Sequence, residues 1–197
     1  MAMQLRCRCG RLRGEVDIER AYTRATCHCR HCQAFARFLG ATWVLDAQGG
    51  TDIVPMAPTG VCFTAGQEHL ACLSLSRKGL LRWYAACCRT PLANTPRDAG
   101  IFYVGVLAPV LAVAPDALDL ELGPRDHVVL NTASATGPVR RTPLAFLLAG
   151  LEIFAHVAVA KLRRRRDTTF FDAEGQPIRP PLVLTPEQRA SAGLGGA

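Results

Sequence analysis

Three thiols lie within six residues in the stretch Cys27-His28-Cys29-Arg30-His31-Cys32. Cys29 and Cys32 have the spacing of a chelating turn, and Cys27 adds a third sulfur from the segment that leads into that turn. Tetrahedral zinc binds four such ligands, at Zn–S distances of about 2.3 Å. The stretch therefore predicts a metal site around which the chain folds, with three ligands supplied locally and a fourth still to be found.

Two histidines in this stretch are candidates for the fourth ligand. His28 and His31 each stand directly beside a cysteine. A histidine in that position usually points away from the metal, so a solvent-facing loop residue is the simpler interpretation of both. The sequence leaves this choice open.

A second pair of thiols, Cys7 and Cys9, lies upstream of the first cluster. Residues i and i+2 of an extended segment point to the same face, with their Cα atoms about 6.5 Å apart. Two cysteine side chains can close that gap and bind one zinc ion. Cys7 and Cys9 are therefore expected to form a clamp on a metal.

A disulfide framework is the alternative interpretation of nine cysteines, and it requires an oxidising compartment. The first ten residues contain neither a long apolar core nor a small-residue cleavage site, so we expect a cytoplasmic protein. Clustered thiols in a reducing cytosol are typical of metal ligands or redox groups, and we favour zinc ligands. Cys62 and Cys72 stand singly among apolar residues and are expected in the core.

The last thiols are adjacent in sequence, Cys87 and Cys88. Neighbouring side chains of an extended chain point to opposite faces, so the backbone must bend if both are to bind one metal. Two packed core cysteines are the alternative.

The order of these motifs resembles the glutathione-dependent formaldehyde-activating enzyme family, which includes the centromere protein V-like proteins. That family has Cys-x-Cys-Gly, then Cys-x-Cys-x-x-Cys, then an aromatic residue before Cys-x-x-Cys-Gly-Thr-Pro-Leu. This chain has Cys7-Arg8-Cys9-Gly10, then the stretch 27–32, then Tyr84-Ala85-Ala86-Cys87-Cys88-Arg89-Thr90-Pro91-Leu92. The resemblance covers residues 5–108.

The resemblance implies a zinc-dependent fold of the Mss4-like type with two metal sites. Its first and last motifs share a structural zinc, which by position implies ligation by Cys7, Cys9 and Cys88. Its middle motif holds a catalytic zinc that exchanges ligands with glutathione, which implies ligation by Cys27, Cys29 and Cys32.

The chain departs from the family pattern in its last motif. The first cysteine of the family's late pair is replaced by Ala85, and the following glycine is replaced by Arg89. We interpret Cys87 as the substitute for the missing ligand. Two functions stay open: a zinc-dependent carbon–sulfur lyase that acts on thiol adducts of the glutathione type, and a non-catalytic zinc-stabilised binding module with a basic surface.

The net charge of +7 is concentrated in two regions. Residues 1–40 contain eight arginines and three acidic residues, and Lys161 with Arg163–Arg166 adds five positive charges. Arginines beside a thiolate-bound metal can offset its negative charge or hold the carboxylates of a substrate such as glutathione. A nucleic-acid partner is disfavoured, because no aromatic residues are interleaved with these arginines and no recognition helix is evident.

Short apolar runs between turn residues predict β-strands. The runs are Ala41–Leu45, Val61–Thr64, Leu70–Leu75, Leu80–Tyr84 and Ile101–Leu107. Residues 33–40 are expected to form a short helix or turn after the thiol cluster. The predicted fold class is therefore mainly β.

Apolar residues recur at helical steps from Pro143 to Arg166, which predicts a long C-terminal amphipathic helix. Glu152 and His156 interrupt its apolar part, so packing on the sheet or in a homodimer is favoured over a membrane surface. The predicted units are a zinc-binding β domain (1–108), an extension (109–172) that carries the helix 143–166, and a flexible tail (173–197).

Overall fold

The computed structural model describes residues 2–165 and 167–195, and its strands form two sheets. The strands are β1 (Ala2–Arg6), β2 (Arg13–Asp17), β3 (Ala25–Cys27), β4 (Thr51–Met56), β5 (Val61–Ala65), β6 (Leu70–Ser74), β7 (Leu81–Ala85), β8 (Thr90–Thr95), β9 (Val104–Leu107), β10 (Val129–Leu130) and β11 (Leu182–Val183). The helices are α1 (Arg30–Phe38), α2 (Pro115–Leu122), α3 (Pro143–Leu162) and α4 (Pro186–Arg189). The prediction of a mainly β fold is confirmed.

The smaller sheet has the strand order β1-β2-β5, and the larger has the order β10-β3-β4-β9-β8-β7-β6-β11. Neighbouring strands are antiparallel except at the two edges of the larger sheet, where β10 pairs with β3 and β11 pairs with β6 in parallel. In β1 buried and exposed residues alternate, whereas every residue of β4 and β8 is buried. The larger sheet is therefore covered on both faces along its centre.

The main core is built around Trp83 on β7, which is fully buried. Its indole N–H donates a hydrogen bond to the Thr95 hydroxyl (3.0 Å), and its ring lies 5.1 Å from the ring of Phe170 and 6.4 Å from that of Phe171. Leu118 on α2 joins the same core. The extension after residue 108 thus shares a hydrophobic core with the β-sheets.

The predicted strands at β5, β6, β7 and β9 are confirmed, as is the helix after the thiol cluster. The strand predicted over Ala41–Leu45 is wrong: this segment contains a 3₁₀ turn, Thr42–Val44. The backbone N–H of Val44 bonds to Ala41 and that of Leu45 bonds to Thr42, so local bonds replace a sheet ladder. The prediction that Cys62 lies in the core is also wrong, because it sits on the exposed face of β5.

Helix α3 is formed over Pro143–Leu162, so the predicted extent to Arg166 is wrong: Arg163 caps the helix, Arg164 and Arg165 are not helical, and Arg166 lies outside the described residues. It is apolar around most of its circumference instead of amphipathic, and by length and composition it could cross a membrane. Only Ala149 and Ala160 are buried. The helix therefore lies on the domain through small residues and leaves its large apolar side chains exposed.

The segment predicted as a flexible tail packs on the larger sheet. Strand β11 extends the sheet at β6, and the side chains of Leu184 and Ala192 are buried against Phe35 and Leu73. The apolar run from Leu182 to Leu184 forms the edge strand and contributes the buried Leu184 side chain. The Pro- and Gly-rich composition predicted a flexible tail because it does not show these tertiary contacts. Residues 196 and 197 of the predicted tail lie outside the described residues.

Candidate metal centres

The first thiol cluster, called site 1, contains Cys7, Cys9, Cys87 and Cys88. The first two lie in the turn between β1 and β2, and the other two lie in the turn between β7 and β8. Because β1 and β2 belong to the smaller sheet and β7 and β8 to the larger, site 1 connects the two sheets.

The sulfur positions of site 1 fit one tetrahedral metal. Two sulfurs on the same zinc ion lie about 3.8 Å apart, since each Zn–S bond is about 2.3 Å. The observed Sγ–Sγ distances are 3.5 Å for Cys7–Cys9, 3.8 Å for Cys7–Cys87, 3.3 Å for Cys9–Cys87 and 3.9 Å for Cys87–Cys88. All four sulfurs lie within 4.8 Å of one another, so site 1 could hold a metal ion with four thiolate ligands.

The thiols of site 1 differ in acidity. Burial raises the pKa of Cys7 and of Cys87. Burial also acts to raise the pKa of Cys88, but hydrogen bonds from the Thr90 hydroxyl (3.0 Å) and from the Cys9 backbone outweigh it and lower that pKa to about 6. Cys88 therefore offers a thiolate at neutral pH, and a metal ion would displace protons from the thiols of Cys7 and Cys87.

Arg89 occupies the position at which the resembled family has glycine. Its backbone has a conformation that glycine adopts more easily than other residues. Its φ is 55°, in the left-handed region that residues with a side chain seldom adopt. Its guanidinium donates a hydrogen bond to the Phe38 carbonyl and lies 5.5 Å from the centre of the Phe38 ring. These contacts offset the backbone strain and tie the turn of site 1 to the end of α1.

Removing the Cys87 thiol tests whether this residue is a ligand. We expect Cys87→Ala to lower the zinc content by about one ion per chain, because three sulfurs would remain where the geometry provides four. The matched control is Cys62→Ala, which removes an exposed thiol outside both clusters. Zinc is counted by elemental mass spectrometry against protein concentration, and full occupancy in Cys87→Ala would show that Cys87 is only a packed neighbour.

The second thiol cluster, called site 2, contains Cys27, Cys29 and Cys32. Cys27 ends β3, and Cys29 caps the N-terminus of α1, where its sulfur accepts a hydrogen bond from the backbone N–H of Cys32 (3.3 Å). The Cys27 and Cys32 sulfurs lie 4.0 Å apart, and all three lie within 4.8 Å of one another. Site 2 could therefore hold a metal ion through three thiolates.

Negative charge in site 2 is centred on Cys29. Hydrogen bonds with the thiols of Cys27 and Cys32 lower the pKa of Cys29, and the Cys32 backbone N–H and the positive charge of Arg82 lower it further. The same thiol contacts, together with burial, raise the pKa of Cys27. A cysteine thiolate at a helix N-terminus is the form that binds metals and reacts as a nucleophile.

No fourth protein ligand completes site 2 among the described residues. His28 is buried, and its Nδ1 atom lies 3.2 Å from the Gln48 carbonyl. His31 is exposed on α1. The structure thus leaves both histidines outside the cluster. The interpretation as a solvent-facing residue agrees with the position of His31 and is wrong for His28, which is buried.

Three residues that the sequence did not single out surround site 2. Asn131 donates its amide N–H to the Cys27 sulfur (3.3 Å), and the Arg82 guanidinium lies 3.9 Å from the Cys32 sulfur. Burial raises the pKa of Tyr103, so this phenol stays protonated near the cluster. Strand pairing explains Asn131, because β10 lies beside β3 with Leu130 opposite Cys27.

Arg82 is the most unusual of these residues. It is 3% exposed, its guanidinium carbon lies 5.3 Å from the centre of the Phe35 ring, and its Nε–H has no hydrogen-bond partner among the described residues. A buried guanidinium with an unused donor is costly unless an anion satisfies it. A charged residue inside the apolar run of β7 was the sequence signal that could have identified it.

Comparisons with known proteins give a family and distant structural similarities. A family model described as a family of unknown function (DUF6151) matches residues 1–145, which include both thiol clusters. No curated protein matches the chain. A crystal structure of a Rhodobacter sphaeroides protein has 17% sequence identity and a TM-score of 0.44, and the match covers 66% of this chain and 100% of that one.

Proposed function

The chain belongs to DUF6151, a family of unknown function, and we propose that it is a zinc protein whose site 2 binds a small thiol, such as glutathione, and acts on its adducts as a carbon–sulfur lyase. One observation carries this proposal: site 2 gathers three thiols beside a buried arginine with an unused donor, and no fourth protein ligand joins them among the described residues. Catalytic zinc sites typically have three protein ligands and one open position.

The contrast between the two sites supports different roles for them. Site 1 brings four sulfurs together and links the two sheets, which is the arrangement of a closed structural site. Site 2 has three sulfurs at the end of a strand and the start of a helix. The motif order that resembles the formaldehyde-activating family supports the same division, and with it an Mss4-like zinc-bound fold for residues 1–108.

Each residue around site 2 has a proposed task. Cys27, Cys29 and Cys32 would hold the zinc, which when bound would supply a Lewis acid with an open position for a thiolate. Asn131 orients the Cys27 sulfur through its hydrogen bond.

Arg82 places a positive charge beside the sulfurs and offers its free Nε–H to an anionic group of the substrate, such as a carboxylate.

A non-catalytic binding module is the second candidate. Arg82 and Asn131 already contact two of the three sulfurs in site 2, so both side chains would also suit a purely structural metal site. The two candidates differ in whether an added thiol can reach the metal.

Cobalt substitution tests the proposal, because cobalt in a sulfur-rich site reports its coordination through its visible absorption. Adding glutathione should change the spectrum of the cobalt protein, and the change should disappear in Cys29→Ser. Cys62→Ser, which alters an exposed thiol outside both clusters, should respond as the unaltered chain does. Site 1 contributes a four-sulfur spectrum in either case, so the response to added thiol is the readout. A cobalt spectrum that ignores added glutathione would refute the proposal and favour the binding module.

A further inference from the structure

We propose that α3 and the basic residues at its two ends form a surface that binds an anionic lipid bilayer, with the helix lying in the plane of the membrane. The outward face of the helix, called the α3 face, consists of large apolar side chains. They are Leu144, Phe146, Leu147, Leu148, Leu151, Phe154, Val159 and Leu162.

The exposure of the α3 face is the first observation. Leu144 is 69% exposed, Phe154 is 72% exposed and Leu162 is 84% exposed, and the intervening leucines are more than half exposed. Soluble monomers rarely leave so many contiguous large apolar side chains in water, and such a patch typically marks a protein or membrane contact.

The way α3 is attached to the domain fixes which side faces outward. Ala149 and Ala160 are buried against the domain, and the His156 ring stacks on the Tyr22 ring at 4.6 Å. Glu152 lies one helical turn from both Ala149 and His156, so its carboxylate is at the edge of the α3 face and not at its centre. One side of α3 therefore packs on the domain, and the opposite, apolar side faces outward.

Positive charge flanks the α3 face at both ends. Arg140 and Arg141 are exposed just before the helix, and Lys161, Arg163 and Arg164 are exposed at its end. Basic residues beside an apolar helix at a membrane surface attract anionic headgroups, and each strengthens binding by about fivefold.

A cavity under the C-terminal end of α3 adds a site for a headgroup. It is lined by three arginines, Arg20, Arg163 and Arg165, and by the rings of Tyr22 and His156, with Glu19 as the acidic residue. Arginine guanidinium groups match the geometry of a phosphate, and one of the three, Arg20, is already paired with the Asp17 carboxylate (3.2 Å).

The same charges disfavour a second copy of the chain as the occupant of the α3 face. Both ends of the helix are basic, so pairing two helices in either direction would bring cations of one copy against cations of the other. A bilayer of anionic lipids places negative charge at both ends and hydrocarbon between them. We therefore assign the face to lipid, although the sequence alone favoured a packed or dimeric helix.

Vesicle flotation with the full chain tests the assignment. We expect the chain to float with vesicles of phosphatidylcholine mixed with phosphatidylserine, and not with phosphatidylcholine alone. The triple variant Leu147→Ser/Leu151→Ser/Phe154→Ser should lose binding, while Leu120→Ser, which alters an exposed leucine on α2, should keep it. Unchanged zinc content and circular dichroism in each variant separate this result from a failure of the metal sites.

The charged flank is tested separately. Arg140→Gln/Arg141→Gln should weaken vesicle binding by roughly 25-fold, while the control Arg77→Gln/Lys78→Gln removes equal charge from another exposed turn and should bind as the unaltered chain does.

Three results would overturn the assignment. They are failure to bind the anionic vesicles, a dimer in sedimentation velocity that the triple variant dissociates, and vesicle-bound protein that resists carbonate extraction, which would mean a spanning helix.

Discussion

Replacing Cys9 with serine is expected to remove one metal ion and to destabilise the whole chain. Cys9 lies 3.5 Å from the Cys7 sulfur and 3.3 Å from the Cys87 sulfur, so it joins both turns of site 1. Because site 1 connects the two sheets, the free energy of metal binding is also free energy of folding. Structural zinc contributes about 10–16 kcal/mol in small domains, which equals or exceeds the whole stability of a typical protein.

The expected loss in Cys9→Ser is at least about 5 kcal/mol, which corresponds to a fall in Tm of roughly 10–20 °C for a chain of this size. The matched control is Cys62→Ser, which changes an exposed thiol on β5 and should leave both zinc content and Tm unchanged. An unchanged Tm together with unchanged zinc in Cys9→Ser would show that site 1 does not hold the fold together.

The second large effect is expected for Arg24→Met. Arg24 is 3% exposed, and its guanidinium donates hydrogen bonds to the Asp52 carboxylate (2.8 Å) and to the Asp119 carboxylate (2.6 Å). Burial acts to lower the pKa of Arg24, but the two carboxylates outweigh it and raise that pKa. Methionine fills similar space without charge, so Asp52 would be left buried and unpaired at a cost of about 3–5 kcal/mol.

The control for Arg24→Met is Arg20→Met, which breaks the exposed contact between Arg20 and Asp17 and should cost less than about 1 kcal/mol. Chemical denaturation measures both variants. Adding Asp52→Asn to Arg24→Met should recover part of the loss, because it removes the unpaired charge. Equal stabilities for Arg24→Met and Arg20→Met would mean that the buried pair contributes nothing to the attachment of α2 to β3 and β4.

The sequence predicted the parts of the candidate sites that depend on local spacing. The three thiols of site 2 and the clamp of Cys7 and Cys9 lie within a few residues of each other, and their sulfurs do come together. Cys87 is separated from Cys7 by 80 positions in the sequence, and only the order of the motifs predicted that these two thiols come together.

Contacts that arise from strand pairing could not be predicted in this way. Asn131 reaches Cys27 because a two-residue strand joins the edge of the larger sheet, and nothing in the local sequence marks that pairing. The exposure of α3 also depends on how it packs, since the same apolar pattern would suit a buried helix. The apolar residues of Ala41–Leu45 predict a strand, but this segment follows α1 directly and forms a 3₁₀ turn through local hydrogen bonds.

The number of metal ions per chain decides whether each thiol cluster is a metal site. Native mass spectrometry of the purified chain should show two zinc ions, one for each thiol cluster. Cys29→Ser should lower this number by one while leaving the chain folded, and Cys9→Ser should remove the other ion and destabilise the fold. A chain that folds stably without metal would show that site 1 does not hold the fold together, and a single zinc ion unaffected by Cys29→Ser would show that site 2 binds no metal.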